Sequence, residues 1–283
     1  MLACAQSAIA ADKPIRPDIL AVRAQHPGLA AQIDSPAYRE AIPNLPRRPH
    51  ARWTVHDFAR PQPPIVTPPA AACAEPLAAP SDAIDLLAGG LKDWTGERIA
   101  DWTFAGGILQ SGGKALNMIA TRAAFGDIQL HIRFRTPDGP DKPYGQHRGN
   151  SGVLFMGLYE LQILDSFDNP TYPDGMAAAI YGQTPPRANA ARPPGQWQCY
   201  DAVFRAPRFS GGKLRSPARI TVFWNGVLVQ DAQPIFGPTA AAAILPYKPH
   251  AAQAPLLLQD HGDPTGRVAF SSLWVRRLKP EPK

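Results

Sequence analysis

Ile220-Thr221-Val222-Phe223-Trp224-Asn225-Gly226-Val227-Leu228-Val229 decides the fold. Two runs of β-branched and aromatic residues meet at Asn-Gly, the dipeptide that accepts the positive φ angles of a tight two-residue turn. The stretch reads as a β-hairpin. Working outward, Ile128, Leu130, Ile132 and Phe134 alternate with Gln129, His131, Arg133 and Arg135. That is the period of a half-buried strand. Residues 151–156 and 159–164 read as two short strands about Gly157, and 200–204, 256–258 and 268–275 as three more. No long amphipathic helix interrupts them. Many short strands joined by turns predict an all-β, antiparallel sandwich or barrel. Residues 82–279 are long for an immunoglobulin-like domain and suit a larger jelly-roll β-sandwich.

Composition agrees. The chain has 33 prolines in 283 residues, more than twice the usual roughly 5%. Interior proline removes a helix hydrogen bond and clashes with the preceding turn, so a helical bundle is excluded. A hydrophobic content of 45% excludes full disorder. The prolines concentrate early. Residues 12–81 read as a proline-rich N-terminal extension with short helical segments, one of them capped at Ser35-Pro36. Beyond Ile42 the extension becomes polyproline-like, with Trp53, Val55 and Phe58 apolar enough to pin it to a body.

The net charge of +6 comes from basic residues scattered along the chain. His131, Arg133 and Arg135 form one of the densest groups and read as solvated surface. No nucleic-acid fold signature is present, so nucleic acid is not an expected partner. Cys4, Cys73 and Cys199 lack zinc-site spacing, and a Cys73–Cys199 bridge is one option in an oxidising compartment. No stretch of 18 apolar residues predicts a transmembrane helix. Residues 1–11 resemble the tail of a signal peptide, with Ala8-Ile9-Ala10 as the small-x-small site. Export to a periplasmic or extracellular location is the expectation. The sequence leaves the oligomeric state open.

Three segments carry polar residues that a strand does not require. His147-Arg148-Gly149-Asn150-Ser151-Gly152 offers donors at a strand start. In Tyr159-Glu160-Leu161-Gln162-Ile163-Leu164-Asp165, alternation puts Glu160 and Gln162 on one face, a carboxylate beside an amide, suited to sugar hydroxyls that both donate and accept. Leu258-Gln259-Asp260-His261-Gly262-Asp263 brings a histidine that titrates near neutrality to the end of an apolar strand. A phosphate loop, a dinucleotide fingerprint, a nucleophile elbow and the paired-carboxylate spacing of sandwich glucanases are all absent.

With Gly149-Asn150-Ser151-Gly152, Tyr159-Glu160-x-Gln162, Thr171-Tyr172-Pro173-Asp174-Gly175, Ile180-Tyr181-Gly182 and Leu258-Gln259-Asp260-His261-Gly262 in this order, residues 82–279 resemble the 3-keto-disaccharide hydrolase domain family. Trp53-Thr54-Val55-His56-Asp57 resembles the arm that often precedes that domain. The resemblance implies a concanavalin A-like sandwich acting on a carbohydrate, a glycoside oxidised to a ketone at C3. A C3 carbonyl acidifies the C2 proton, so such a site needs a base, an acid and an enolate stabiliser. Glu160 and His261 are the candidate catalytic pair. Arg148, Asn150, Gln162, Tyr181, Gln259 and Arg122 are candidates for holding the sugar or balancing the enolate. No organic cofactor is expected. A divalent cation such as calcium on Glu160, Asp260 and His261 is a further option. The chain departs from the family pattern at Arg122 and Arg133, where lysine and an acidic residue are usual. That departure motivates the alternative of a non-catalytic carbohydrate-binding module.

Overall fold

The computed structural model describes residues 51–139, 145–263 and 266–279, with residues 21, 23, 24, 30–34 and 45–47 of the N-terminal region. The signal-like residues 1–11 and the capped segment at Ser35 lie outside the described residues.

Among the described residues, fifteen strands follow one another. They begin with β1 (Ile84–Asp85), β2 (Trp94–Thr95), β3 (Thr103–Ala105), β4 (Ile108–Gln110), β5 (Leu116–Phe125) and β6 (Ile128–Arg135). Next come β7 (Ser151–Phe155), β8 (Tyr159–Ile163), β9 (Gln198–Arg205), β10 (Arg208–Ser210) and β11 (Lys213–Ser216). The chain closes with β12 (Arg219–Trp224), β13 (Val227–Pro234), β14 (Ala254–His261) and β15 (Ala269–Arg277). An eight-stranded sheet runs β13-β12-β9-β6-β15-β4-β3, with β1 also on β15, and a five-stranded sheet runs β2-β5-β14-β7-β8. Every ladder is antiparallel. The fold is the all-β sandwich that the sequence predicts. The Asn225-Gly226 hairpin joins β12 to β13, and both turn residues have positive φ, 51° and 82°.

The two sheets enclose a core of Leu130, Phe134, Tyr200, Phe204 and Trp224 from the large sheet, meeting Ile119, Val153, Phe155, Leu161 and Leu258 from the small one. Phe155 and Phe204 stack with centroids 4.7 Å apart. Tyr200 is buried and polar at its tip, so its hydroxyl needs partners. It donates to the Gln162 carbonyl at 2.8 Å and accepts from the Ala178 N–H at 2.8 Å, fixing β8 and the segment after it.

The strand β6 corrects one expectation. His131 and Arg133 are only 3% and 6% exposed rather than solvated: His131 stacks on Trp274 and bonds Asp201, and the proline-rich extension lies over Arg133. A polyproline stretch has few N–H groups to donate and must be held by its carbonyls. Arg133 donates to the Cys73 and Ala74 carbonyls, and Arg192 to those of Pro69, Ala70 and Ala72. Cys73 and Cys199 form a disulfide, with Cα atoms 5.6 Å apart.

Candidate active site

Register and alternation build the site. Leu154 lies opposite Glu160 and Gly152 opposite Gln162, while Leu257 lies opposite Leu154. Met118 faces Gln259 and Leu116 faces His261. Since side chains alternate along each strand, Met118, Gln259, His261, Gly152, Glu160 and Gln162 all project from one face of the small sheet, the face turned away from the core. A cavity of about 380 Å³ opens on it. Asn150, Glu160, Gln162, Tyr181, Gln259 and His261 line it together with Met118, Leu154, Leu158 and Pro238. Six of the expected site residues are therefore brought together.

Gly152 makes room for the carboxylate: a Cβ there would stand 2.4 Å from Glu160 Oε1. The Glu160 N–H donates to Thr239 Oγ1 at 3.0 Å, and Thr239 in turn donates to the Leu158 carbonyl, which stitches the 235–250 loop over the β7–β8 turn. No hydrogen-bond partner for the Glu160 carboxyl is found among the described residues. Burial without a nearby cation disfavours the charged form, and the carboxyl is pushed up to about 8. His261 moves the other way. Burial outweighs the attraction of Asp263 and Asp260 and holds the imidazole below its ordinary value. Glu160 and His261 stand on strands two apart, about 10 Å across the sheet, and are offset along it, because Glu160 is in register with Leu257, four residues before His261; both line the same cavity.

The amides are pre-set. Gln162 is 1% exposed; its Nε2 donates to Gln146 Oε1 and the Gly175 carbonyl, leaving Oε1 buried without a partner among the described residues. Asn150 is anchored through its Nδ2 on the Gln146 carbonyl and its N–H on Asp263. The Tyr181 hydroxyl lies 3.1 Å from that of Tyr172, and burial raises Tyr181 to about 12.

Three expected residues stand elsewhere. Arg148 is buried and donates through Nε and Nη2 to Asp165, and to the Phe167 and Asp168 carbonyls; it shapes a loop and does not line the cavity. Arg122 is exposed and donates to the Lys92 carbonyl. Asp260 projects from the opposite face to His261, and its oxygens accept the Gly113 and Gly262 N–H groups at 2.9 and 3.0 Å. Glu160, Asp260 and His261 therefore do not form a cation site. Among the described residues, the one group of potential metal ligands within 4.8 Å is His131, Cys199 and Asp201, and its sulfur is committed to the disulfide. Beyond the expected residues, Tyr172, Thr239 and His56 support the site. The Thr171-to-Gly175 and Trp53-to-Asp57 motifs contain two of them, yet nothing in their local pattern shows that they meet.

The profile of 3-keto-alpha-glucoside-1,2-lyase-like domains matches residues 82–276. The chain belongs to this family. Among solved structures, it is similar to a candidate glycosyl hydrolase from Parabacteroides distasonis, at 36% identity and a TM-score of 0.66, over 82% of this chain and 100% of the other. A second candidate glycosyl hydrolase from that organism, at 19% identity and a TM-score of 0.52 over 69% of this chain and 99% of the other, shares the fold. No curated protein matches. The sandwich is thus that of a 3-keto-α-glucoside-1,2-lyase-like domain, a carbohydrate-active β-sandwich.

Proposed function

We propose that this protein is an exported enzyme that cleaves 3-keto-glycosides by acid–base chemistry. The observation that carries the reading is the cavity in which Glu160 and His261 are driven to opposite protonation states at neutral pH. Two titratable groups whose environments separate them supply an acid and a base at once. Neutral His261 takes the C2 proton, and the electrons of that bond pass into an enolate on the C3 oxygen. The enolate collapses to restore the ketone, forms a C1–C2 double bond and expels the C1 oxygen. Protonated Glu160 gives its proton to that leaving oxygen. Elimination is then complete. In hydration, the Glu160 carboxylate takes a proton from water as the oxygen adds to C1, and the His261 imidazolium returns a proton to C2. Both groups end as they began. Asn150, Gln162 and Gln259 hold hydroxyls, and Tyr181 donates to the C3 oxygen.

The Cys73–Cys199 bridge supports an oxidising compartment and hence export. Among the described residues, no helix is long and apolar enough to cross a membrane. Purified protein mixed with a 3-keto-glucoside should release the aglycone at a rate proportional to enzyme; no release, under conditions where a 3-keto-glucoside-cleaving control works, overturns the reading.

A further inference from the structure

The proline-rich extension carries more than packing residues. His56 is 8% exposed, and its ring lies against both tyrosines: stacked on Tyr172 with centroids 4.0 Å apart, and edge-on to Tyr181 at 5.3 Å. Of those two rings, Tyr181 lines the cavity. The two hydroxyls are 3.1 Å apart. The extension is locked onto the segment that bears them. The His56 N–H donates to Asp174 at 3.1 Å, Arg60 donates to the Gln183 carbonyl, and Gln62 donates to the Thr171 carbonyl at 2.6 Å. His56 has a φ of 57°, a left-handed conformation that few side chains adopt. A phenylalanine would give the same ring contacts. The histidine instead brings a buried Nε2 with no partner among the described residues. That nitrogen stands 3.7 Å from where a Cβ on Gly182 would be, in the wall shared by Tyr181 and Ala240. The ring contacts, rather than that nitrogen, reach the two tyrosines.

We propose that the N-terminal extension completes the active site, with His56 as a positioning residue that aligns the Tyr172–Tyr181 hydroxyl pair so that Tyr181 donates to the substrate's C3 oxygen. With Tyr172 as the donor of that 3.1 Å pair, the Tyr181 proton is directed at the cavity. The inference rests on the proposed 3-keto-glycoside cleavage and adds a residue more than 100 positions away from the strands that carry the acid and base.

A double-mutant cycle on the full-length protein tests it, using turnover of a 3-keto-glucoside. Tyr181→Phe and His56→Asn, the latter removing the ring with a residue type that tolerates a left-handed backbone, should each lower kcat at least about tenfold, a modest share of what one positioned donor contributes, with KM changed less than about threefold, whereas His56→Phe, which keeps the ring contacts, should stay within about threefold of wild type. The double variant should be no slower than Tyr181→Phe alone, because His56 acts through Tyr181. Losses that multiply, a His56→Asn kcat within about twofold of wild type, or a His56→Phe loss as large as that of His56→Asn overturn the proposal. If His56→Asn does not fold, His56→Gly, which also removes the ring and accepts a positive φ, carries the same expectation. Wild-type turnover without coupling sinks this inference and leaves the cleavage reading intact. With no wild-type turnover the cleavage reading fails on its own, and the same cycle is run on binding of the 3-keto-glucoside, where independent effects of the two residues or an absence of binding overturn the inference.

Discussion

Glu160 shows how one residue trades stability for chemistry. Well below 4.5, its ordinary value, folded and unfolded chains both hold the proton and the environment contributes no difference. Between there and about 8 the unfolded chain has lost its proton while the folded chain keeps it. Rising pH therefore favours unfolding across that window, and the stability difference is lost progressively up to about 8. Glu160→Gln cannot ionise. Its stability relative to wild type should grow as pH rises from 5 to 8, by an amount on the order of a few kcal/mol. Over the same range kcat should fall at least about 100-fold, and His261→Ala should lose a similar factor. Wild-type kcat/KM should decline above about pH 8 as the acid ionises. Denaturation midpoints of Glu160→Gln and wild type that differ equally at pH 5 and pH 8 would contradict the assignment. The polar face was legible at this scale, because strand alternation pairs Glu160 with Gln162 and separates His261 from Asp260. Arg148 was not. Its sequence neighbours suggest a ligand contact, whereas Asp165, 17 residues on, takes its guanidinium.

At the scale of elements, the β7–β8 hairpin and β14 set the site. Their apolar runs bounded by Gly157 and Gly262 are readable from sequence. The ten-residue β5 is not. It carries Met118 and Ala120 on the cavity face and Ile119 on the core face, so apolar residues fall on both sides and the alternation is blurred. Gly152 gives the sharpest test of how an element serves the site. Its backbone does not have positive φ, so an alanine is limited by space alone. The new Cβ would meet Glu160 Oε1 at 2.4 Å and Cδ at 3.0 Å. The end of a flexible side chain can swing away, whereas a backbone neighbour could not. Gly152→Ala should therefore cost only about 1–2 kcal/mol of stability, the range of a mild overpacking. It should lower kcat/KM at least about tenfold by displacing the acid. Thermal melting and steady-state kinetics on the same sample check both. A loss of activity no greater than the loss of folded protein would mean that the glycine serves the strand rather than the carboxylate.

At the scale of the whole molecule, the extension is the part least readable in advance. Its polyproline character was evident, but its course over the large sheet depends on groups 59 or more residues away. Those groups are Arg133 and Arg192 gripping carbonyls, Trp274 donating to the Leu77 carbonyl, and Asn189 pairing with Pro64 and Val66. The disulfide adds a covalent tie between residues 126 apart in sequence. Closing a loop of that size restricts the unfolded chain, and bridges of this kind stabilise by about 2–4 kcal/mol. Replacing both cysteines, Cys73→Ala with Cys199→Ala, should lower the melting temperature by roughly 4–16 °C, given about 2–4 °C per kcal/mol for a domain of this size. Activity at 25 °C should respond differently. His56 lies 17 residues before Cys73, and the bonds of Asp174, Gln183 and Thr171 to His56, Arg60 and Gln62 hold it without the bridge. Well below the melting point, kcat should stay within about twofold of wild type, because the tie acts on the unfolded ensemble more than on the folded site. An unchanged melting temperature would show that the polar grips already fix the extension and that the bridge adds nothing. A parallel collapse of kcat at 25 °C would show instead that the extension stays seated only while the bridge is closed, and the active site would then depend on the redox state of its surroundings.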